Sequence, residues 1–248
     1  MGLVGRAVAT GLIAGVLSWG AVGASHAAGL QISPVGLSLK HAQRAGALTL
    51  SNVGSAPVTV QVRAFQWTQD ERGEDVLTPT QALVVSPPMA KIGAETEQQF
   101  RVIRTQPAGV GEEAYRLIID ELPLPETNAT KGLQLVLRYS VPVFLNADEY
   151  PEPTLQWRLE PLADDPGKTV LTVRNTGPAR AQLSAAWLDP REGQVRQVLS
   201  QGLLGYVLAG HVLRRTLPAS VSSLRSGRLT VVVNGREVHP DTGATTAP

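Results

Sequence analysis

Apolar and polar side chains alternate with a period of two through most of this chain, and the longest such run lies between Gly132 and Leu145. In an extended strand Leu133, Leu135, Leu137, Tyr139, Val141 and Val143 share one face, and Gln134, Val136, Arg138, Ser140 and Pro142 share the other. Both faces are largely apolar, a pattern expected where both are covered. Pro142 lacks an N–H, so its end of the run is not expected to be a fully paired central strand. A long apolar strand with an open edge invites aggregation unless the protein uses it, for instance by lending it to another chain.

Shorter runs of the same kind precede it. Strands are expected at Leu30–Leu39, Ala47–Asn52, Val58–Trp67, Ala82–Ser86, Phe100–Arg104 and Ala114–Leu122, broken by the turn cluster Val53-Gly54-Ser55-Ala56-Pro57, the charged loop at residues 70–75 and the step Pro87-Pro88. Asp148, Glu149, Pro151, Glu152 and Pro153 read as a semi-rigid connection. Beyond it the pattern restarts, with strands expected at Leu155–Leu159, Thr169–Asn175, Ala181–Leu188, Val195–Leu199, Val207–Leu208, Leu213–Leu217 and Arg228–Asn234. Asn175-Thr176-Gly177-Pro178 echoes the turn that begins at Asn52. The expected fold class is all-β, with two immunoglobulin-like β-sandwich domains at residues 29–146 and 147–238 and a disordered tail at 239–248.

Residues 1–28 read as a cleaved secretory signal. Arg6 is followed by an uncharged apolar stretch, and Ser25-His26-Ala27 offers small residues where a signal peptidase reads. Its removal would leave 21 basic and 21 acidic side chains, a balance that argues against nucleic-acid binding or a polybasic membrane contact. With no cysteine, disulfides, thiol catalysis and thiolate metal sites are all excluded. The histidines stand apart with no second ligand at metal spacing, and no nucleophile elbow, phosphate loop or zinc-protease motif is present. Adjacent carboxylates such as Asp120 and Glu121 point to opposite faces of a strand, so they do not form an acid–base pair. The expectation is a binding protein: no enzyme, no catalytic residue, no metal, no cofactor, no small-molecule substrate.

Three segments together resemble the periplasmic chaperones of chaperone–usher pilus assembly. They are Ser86-Pro87-Pro88-Met89 with Ile92-Gly93 and the strand Gln98–Arg104; Glu113 to Pro123, similar to the family's sixth strand; and Leu133 to Leu145, similar to its seventh. The likeness spans about residues 30–145 and is weaker beyond. It implies an L or boomerang arrangement of the two sandwiches, residence in the periplasm, a pilus, fimbrial or coat-like subunit as partner, and delivery to an outer-membrane usher. It also implies donor-strand complementation, in which the seventh strand fills the groove of an incomplete subunit. Leu133, Leu135 and Leu137 match the alternating donor side chains, although the same leucines could fill this domain's own core.

The family's carboxylate anchor, an Arg on the first strand and a Lys on the seventh, falls at Gly36 and Pro142 and is missing. Arg116 and Arg138 are the candidate substitutes, because a guanidinium can hold a carboxylate with two hydrogen bonds. Glu121 matches a carboxylate of the domain junction, but the position of its arginine partner holds Asn146. These departures point to a divergent branch. The alternative reading is a structural pilus subunit or adhesin.

Overall fold

The computed structural model describes residues 29–107, 109–123, 136–146, 152–189 and 195–241. The expected signal segment, residues 1–28, lies outside the described residues, as do Leu133 and Leu135.

The first half contains β1 (Leu30–Ser33), β2 (Leu37–Leu39), β3 (Ala45–Asn52), β4 (Val58–Gln69), β5 (Asp75–Pro79), β6 (Leu83–Ser86), β7 (Met89–Ile92), β8 (Glu97–Arg104), β9 (Glu113–Leu122) and β10 (Arg138–Leu145). They form two sheets. One has the order β1-β3-β8-β6, and the other the order β2-β10-β9-β4-β5, with β7 also paired to β4. Leu48, Leu50, Val60, Val62, Phe100, Val102, Leu117, Ile119, Val143 and Leu145 close the core between them. Burying each such side chain stabilises the fold by about 1.5–3 kcal/mol.

The second half contains β11 (Leu155–Leu162), β12 (Asp165–Asn175), β13 (Ala181–Asp189), β14 (Gln197–Ser200), β15 (Gly205–Val207), β16 (Val212–Leu217), the short helix α1 (Val221–Ser226), β17 (Arg228–Val233) and β18 (Arg236–Val238). Its sheets run β11-β12-β16 and β14-β13-β17-β18, with β15 also on β13. A separate core of Leu159, Leu171, Val173, Leu183, Leu213, Leu217 and Val231 joins them. Ser220 caps α1 by accepting a hydrogen bond from the Ser223 N–H.

The protein is thus all-β, two sandwiches with a core each. Several boundaries differ from the sequence pattern. The expected first strand is split: β1 pairs with β3 in one sheet, whereas β2 pairs with β10 in the other. The pattern also missed β5, β7, β18 and α1, which are short and carry no clear period. His239, expected to open a disordered tail, is hydrogen bonded to Thr230 at 3.1 Å.

The echo between the two turns is physical. Asn52 ends β3 and Asn175 ends β12, and both are buried. Each side-chain carbonyl accepts from the N–H two residues on, Gly54 at 3.0 Å and Gly177 at 3.0 Å. Each amide donates to the carbonyl four residues on, Ala56 at 2.8 Å and Ala179 at 2.7 Å, and to a neighbouring strand, Ile92 at 3.3 Å and Val207 at 3.2 Å. One asparagine therefore ties a tight turn to the sheet edge in each sandwich.

Candidate functional site

Strand β10 pairs with β9 along its whole length, Arg138 with Asp120 through to Leu145 with Glu113. On its other side it meets β2 in parallel only at Val143, Phe144 and Leu145. The edge from Arg138 to Pro142 is therefore unpaired among the described residues. Pro142 does not mark an unpaired end, as its missing N–H suggested; it marks where the open stretch stops and two-sided pairing begins. Across the sandwich the facing border is β1, itself an edge strand, and the Tyr139 hydroxyl spans to the Leu30 carbonyl at 3.3 Å.

Val141, Val143 and Leu145 point into the core, and Tyr139 packs against it. Leu137 continues that face beyond the core and is 42 % exposed; Val136 beside it is 50 % exposed. Glu121 holds this segment in place. Its backbone N–H donates to the Leu137 carbonyl at 3.0 Å, and its carboxylate accepts from the Leu137 N–H at 3.4 Å and from the Tyr139 hydroxyl at 3.3 Å. Glu121 is therefore not at the domain junction. It sits near the end of β9 that pairs with the start of β10, whereas the junction lies at the other end, beside Glu113 and Leu145.

The outer face of this sheet carries the candidate cations. Arg138 and Arg63 both hold Asp120, at 2.5 and 2.7 Å. Burial alone would raise the Asp120 carboxyl, but the two guanidinium groups outweigh it and hold it below the ordinary value. Arg138 is thus engaged by a carboxylate of its own sheet, with its side chain still 67 % exposed. Arg116 lies directly across from Pro142. Its guanidinium stacks 3.7 Å from the Trp67 ring centroid and meets Asp75 at 3.5 Å. Burial lowers its pKa, against the opposing pull of Asp75. Gly36 is the neighbour of Pro142 on this same edge, so the two positions that carry the anchor elsewhere adjoin each other here without charge.

Below Arg116 the face is covered by the second sandwich. The phase of β4 changes along its length: Val60 and Val62 face the first core, but Trp67 and Gln69 are buried from the opposite side. Trp67, Phe144 and Leu208 form a third cluster, with Ala114 and Tyr206 packed on it. The Trp67 and Tyr206 rings meet edge-on at 5.4 Å, and Arg180 stacks 3.6 Å from the Phe144 centroid. The Arg180 guanidinium and backbone N–H both bind Glu112. Burial pushes the Glu112 carboxyl above its ordinary value, with Arg180 pulling the other way. The Gln69 amide donates to the Tyr206 carbonyl at 2.8 Å, and its oxygen accepts from the Leu208 N–H at 2.9 Å.

Asn146 also acts within the first sandwich. It accepts from the buried Arg104 guanidinium at 3.1 Å, and its amide donates to the Gly111 carbonyl at 2.8 Å. Arg104 meets Glu113 at 2.7 Å. Sequence reasoning missed Glu112, Arg180 and Gln69. The one legible signal was apolar or aromatic residues at Trp67 and Phe144 on faces that should have been polar.

An open β10 edge beside β1, on a sandwich locked to a second one, is the geometry against which the known proteins can be read. Residues 29–150 match the family of pili and flagellar-assembly chaperones, PapD N-terminal domain. The first sandwich belongs to this family. No curated protein matches the chain in sequence. Among solved structures it is similar to a chain of the CsuC–CsuE chaperone–tip adhesion subunit pre-assembly complex from the archaic chaperone-usher Csu pili of Acinetobacter baumannii, at 25% identity and a TM-score of 0.65, over 86% of this chain and 98% of that one. It shares its fold with the E. coli chaperone DraB, at 14% identity and a TM-score of 0.58, over 87% and 97%. The same holds for the Salmonella enterica SafA pilin–SafB chaperone complex, at 19% identity and a TM-score of 0.55, over 88% and 96%. The two-sandwich fold is therefore shared with these structures over most of both chains.

Proposed function

We propose that this protein is a periplasmic chaperone that binds pilus, fimbrial or coat-like subunits by donor-strand complementation and delivers them to an outer-membrane usher. The observation that carries this reading is the unpaired Arg138–Pro142 edge of β10, continued by an exposed Leu137 outside the domain's own core. An incomplete β-sandwich could pair along that edge through main-chain hydrogen bonds, with alternate side chains entering its pockets. Leu133, Leu135 and Leu137 are the proposed donors. Arg116 is the better substitute for the missing carboxylate anchor. It lies across from Pro142, held by stacking on Trp67 and by a 3.5 Å ion pair to Asp75, whereas Arg138 is spent on Asp120 at 2.5 Å.

Periplasmic co-expression with a secreted β-rich subunit, followed by co-purification, tests the reading. Leu135→Asp and Leu137→Asp are expected to abolish subunit recovery while the chaperone itself still folds. Unchanged recovery in both would sink the donor-strand mechanism. Arg116→Gln is expected to reduce recovery more than Arg138→Gln, and the reverse order would move the anchor to Arg138.

A further inference from the structure

The second sandwich carries a basic face that the β10 edge does not explain. In the sheet β11-β12-β16, Arg158 pairs in register with Thr172, and Thr172 pairs with Arg214. The three therefore form one row across three strands, on one face. Arg174 follows Thr172 on that face two residues on, in the next row between Gln156 and Val212. The opposite face is the apolar one, with Leu159, Leu171, Val173 and Leu213 in the core. All three arginines are exposed. Arg158 meets Glu160 at 3.0 Å, which follows it on the same face in the adjoining row. The guanidinium groups of Arg174 and Arg214 have no ion pair among the described residues. Between Arg158 and Arg214 the Thr172 hydroxyl is buried and has no hydrogen-bond partner. A buried, unpartnered hydroxyl costs free energy that a hydrogen bond from or to a ligand would recover.

We propose that this face docks an extended acidic polypeptide segment of a partner, with Arg158, Arg174 and Arg214 holding its carboxylates and Thr172 its backbone. The spacing favours a polypeptide. Arg174 and Arg214 are diagonal neighbours, about 7–8 Å apart. Same-face side chains of an extended segment recur about every 6.5–7 Å. Two acidic residues separated by one other thus meet the two unpaired guanidinium groups. The chain as a whole is close to neutral, so the concentration of cations here is local and complementary to an acidic surface.

The probe is a fluorescent peptide of alternating Glu and Thr, measured by anisotropy against the full chain at low salt. Its controls are the same peptide with Gln for Glu, and inorganic phosphate. Saturable binding of the Glu peptide alone is expected, weakened about tenfold by Arg158→Gln, Arg174→Gln and Arg214→Gln combined, on the scale of exposed ion pairs. These positions are exposed, and circular dichroism checks that the variant folds. Thr172→Val is expected to weaken peptide binding without lowering thermal stability. Equal binding of the Gln peptide, displacement by millimolar phosphate, or an unchanged triple variant would each overturn the proposal. If Thr172→Val raised stability and left binding intact, the peptide would not lie over that row.

Discussion

Gly36 and Pro142 touch at the inner end of the open β10 edge: a Cβ placed on Gly36 would lie 3.3 Å from the Pro142 Cγ. The contact follows from the parallel register that sets Leu37 beside Val143. It explains why this edge has no charged anchor, since the proline ring occupies the space into which a side chain at residue 36 would grow.

Size at residue 36 should therefore be felt at β2. Gly36→Ala is expected to be near neutral, because a few tenths of an ångström of adjustment suffice. Gly36→Leu forces the ring aside and should cost about 1–3 kcal/mol, the usual range for overpacking. Urea denaturation of the two variants checks the difference.

Gln69 offers a sharper test of the junction. Gln69→Ala leaves the Leu208 N–H and the Tyr206 carbonyl without the partners they have at 2.9 and 2.8 Å. The loss should be about 2–3 kcal/mol, from two buried groups stranded at once. If the sandwiches are coupled through this residue, unfolding of the variant should also split into two transitions by calorimetry. A single unchanged transition would contradict that coupling.

The twin asparagines predict additive behaviour. Asn52→Ala and Asn175→Ala should each destabilise by about 2–3 kcal/mol, because each strands buried backbone carbonyls and one N–H. They lie in separate cores, so the double variant should show the sum within about 0.5 kcal/mol. Asp at either site should not rescue, since the side chain must donate as well as accept.

Asp120 sets an acid-side dependence. Its folded pKa lies below the ordinary 3.8, so its contribution is complete above the unfolded value and disappears as pH falls through the folded one. Stability measured from pH 7 down to pH 2 should show the gap between wild type and Asp120→Asn constant above about pH 5 and closing below about pH 4. A gap that widened with acid would reverse the sign and contradict the Arg63–Asp120–Arg138 arrangement.

How much of this was legible in the sequence depends on which face of a strand is considered. The inward faces were readable, because Val60, Val62, Leu117, Ile119, Val141 and Val143 follow the period of two. The all-β class and two-sandwich plan came from that pattern and from the turn residues. The outward faces were not readable. Trp67, Phe144 and Arg116 gain their meaning only when Tyr206 and Leu208 come from 62 to 141 residues further along the chain. Glu121 was misplaced for a related reason: strand pairing puts it against the start of β10, and nothing local distinguishes it from Glu112, the carboxylate that does reach the second sandwich. The break between β1 and β2 was hidden because both halves are apolar enough to read as one strand.

The Gln69 contact has a mechanical consequence. One planar amide meets a carbonyl and an N–H two residues apart on the other sandwich, so both bonds share the same geometry and fail together. Together with the Arg180–Glu112 pair beside it, this contact makes the junction a bracket expected to resist bending of one sandwich against the other.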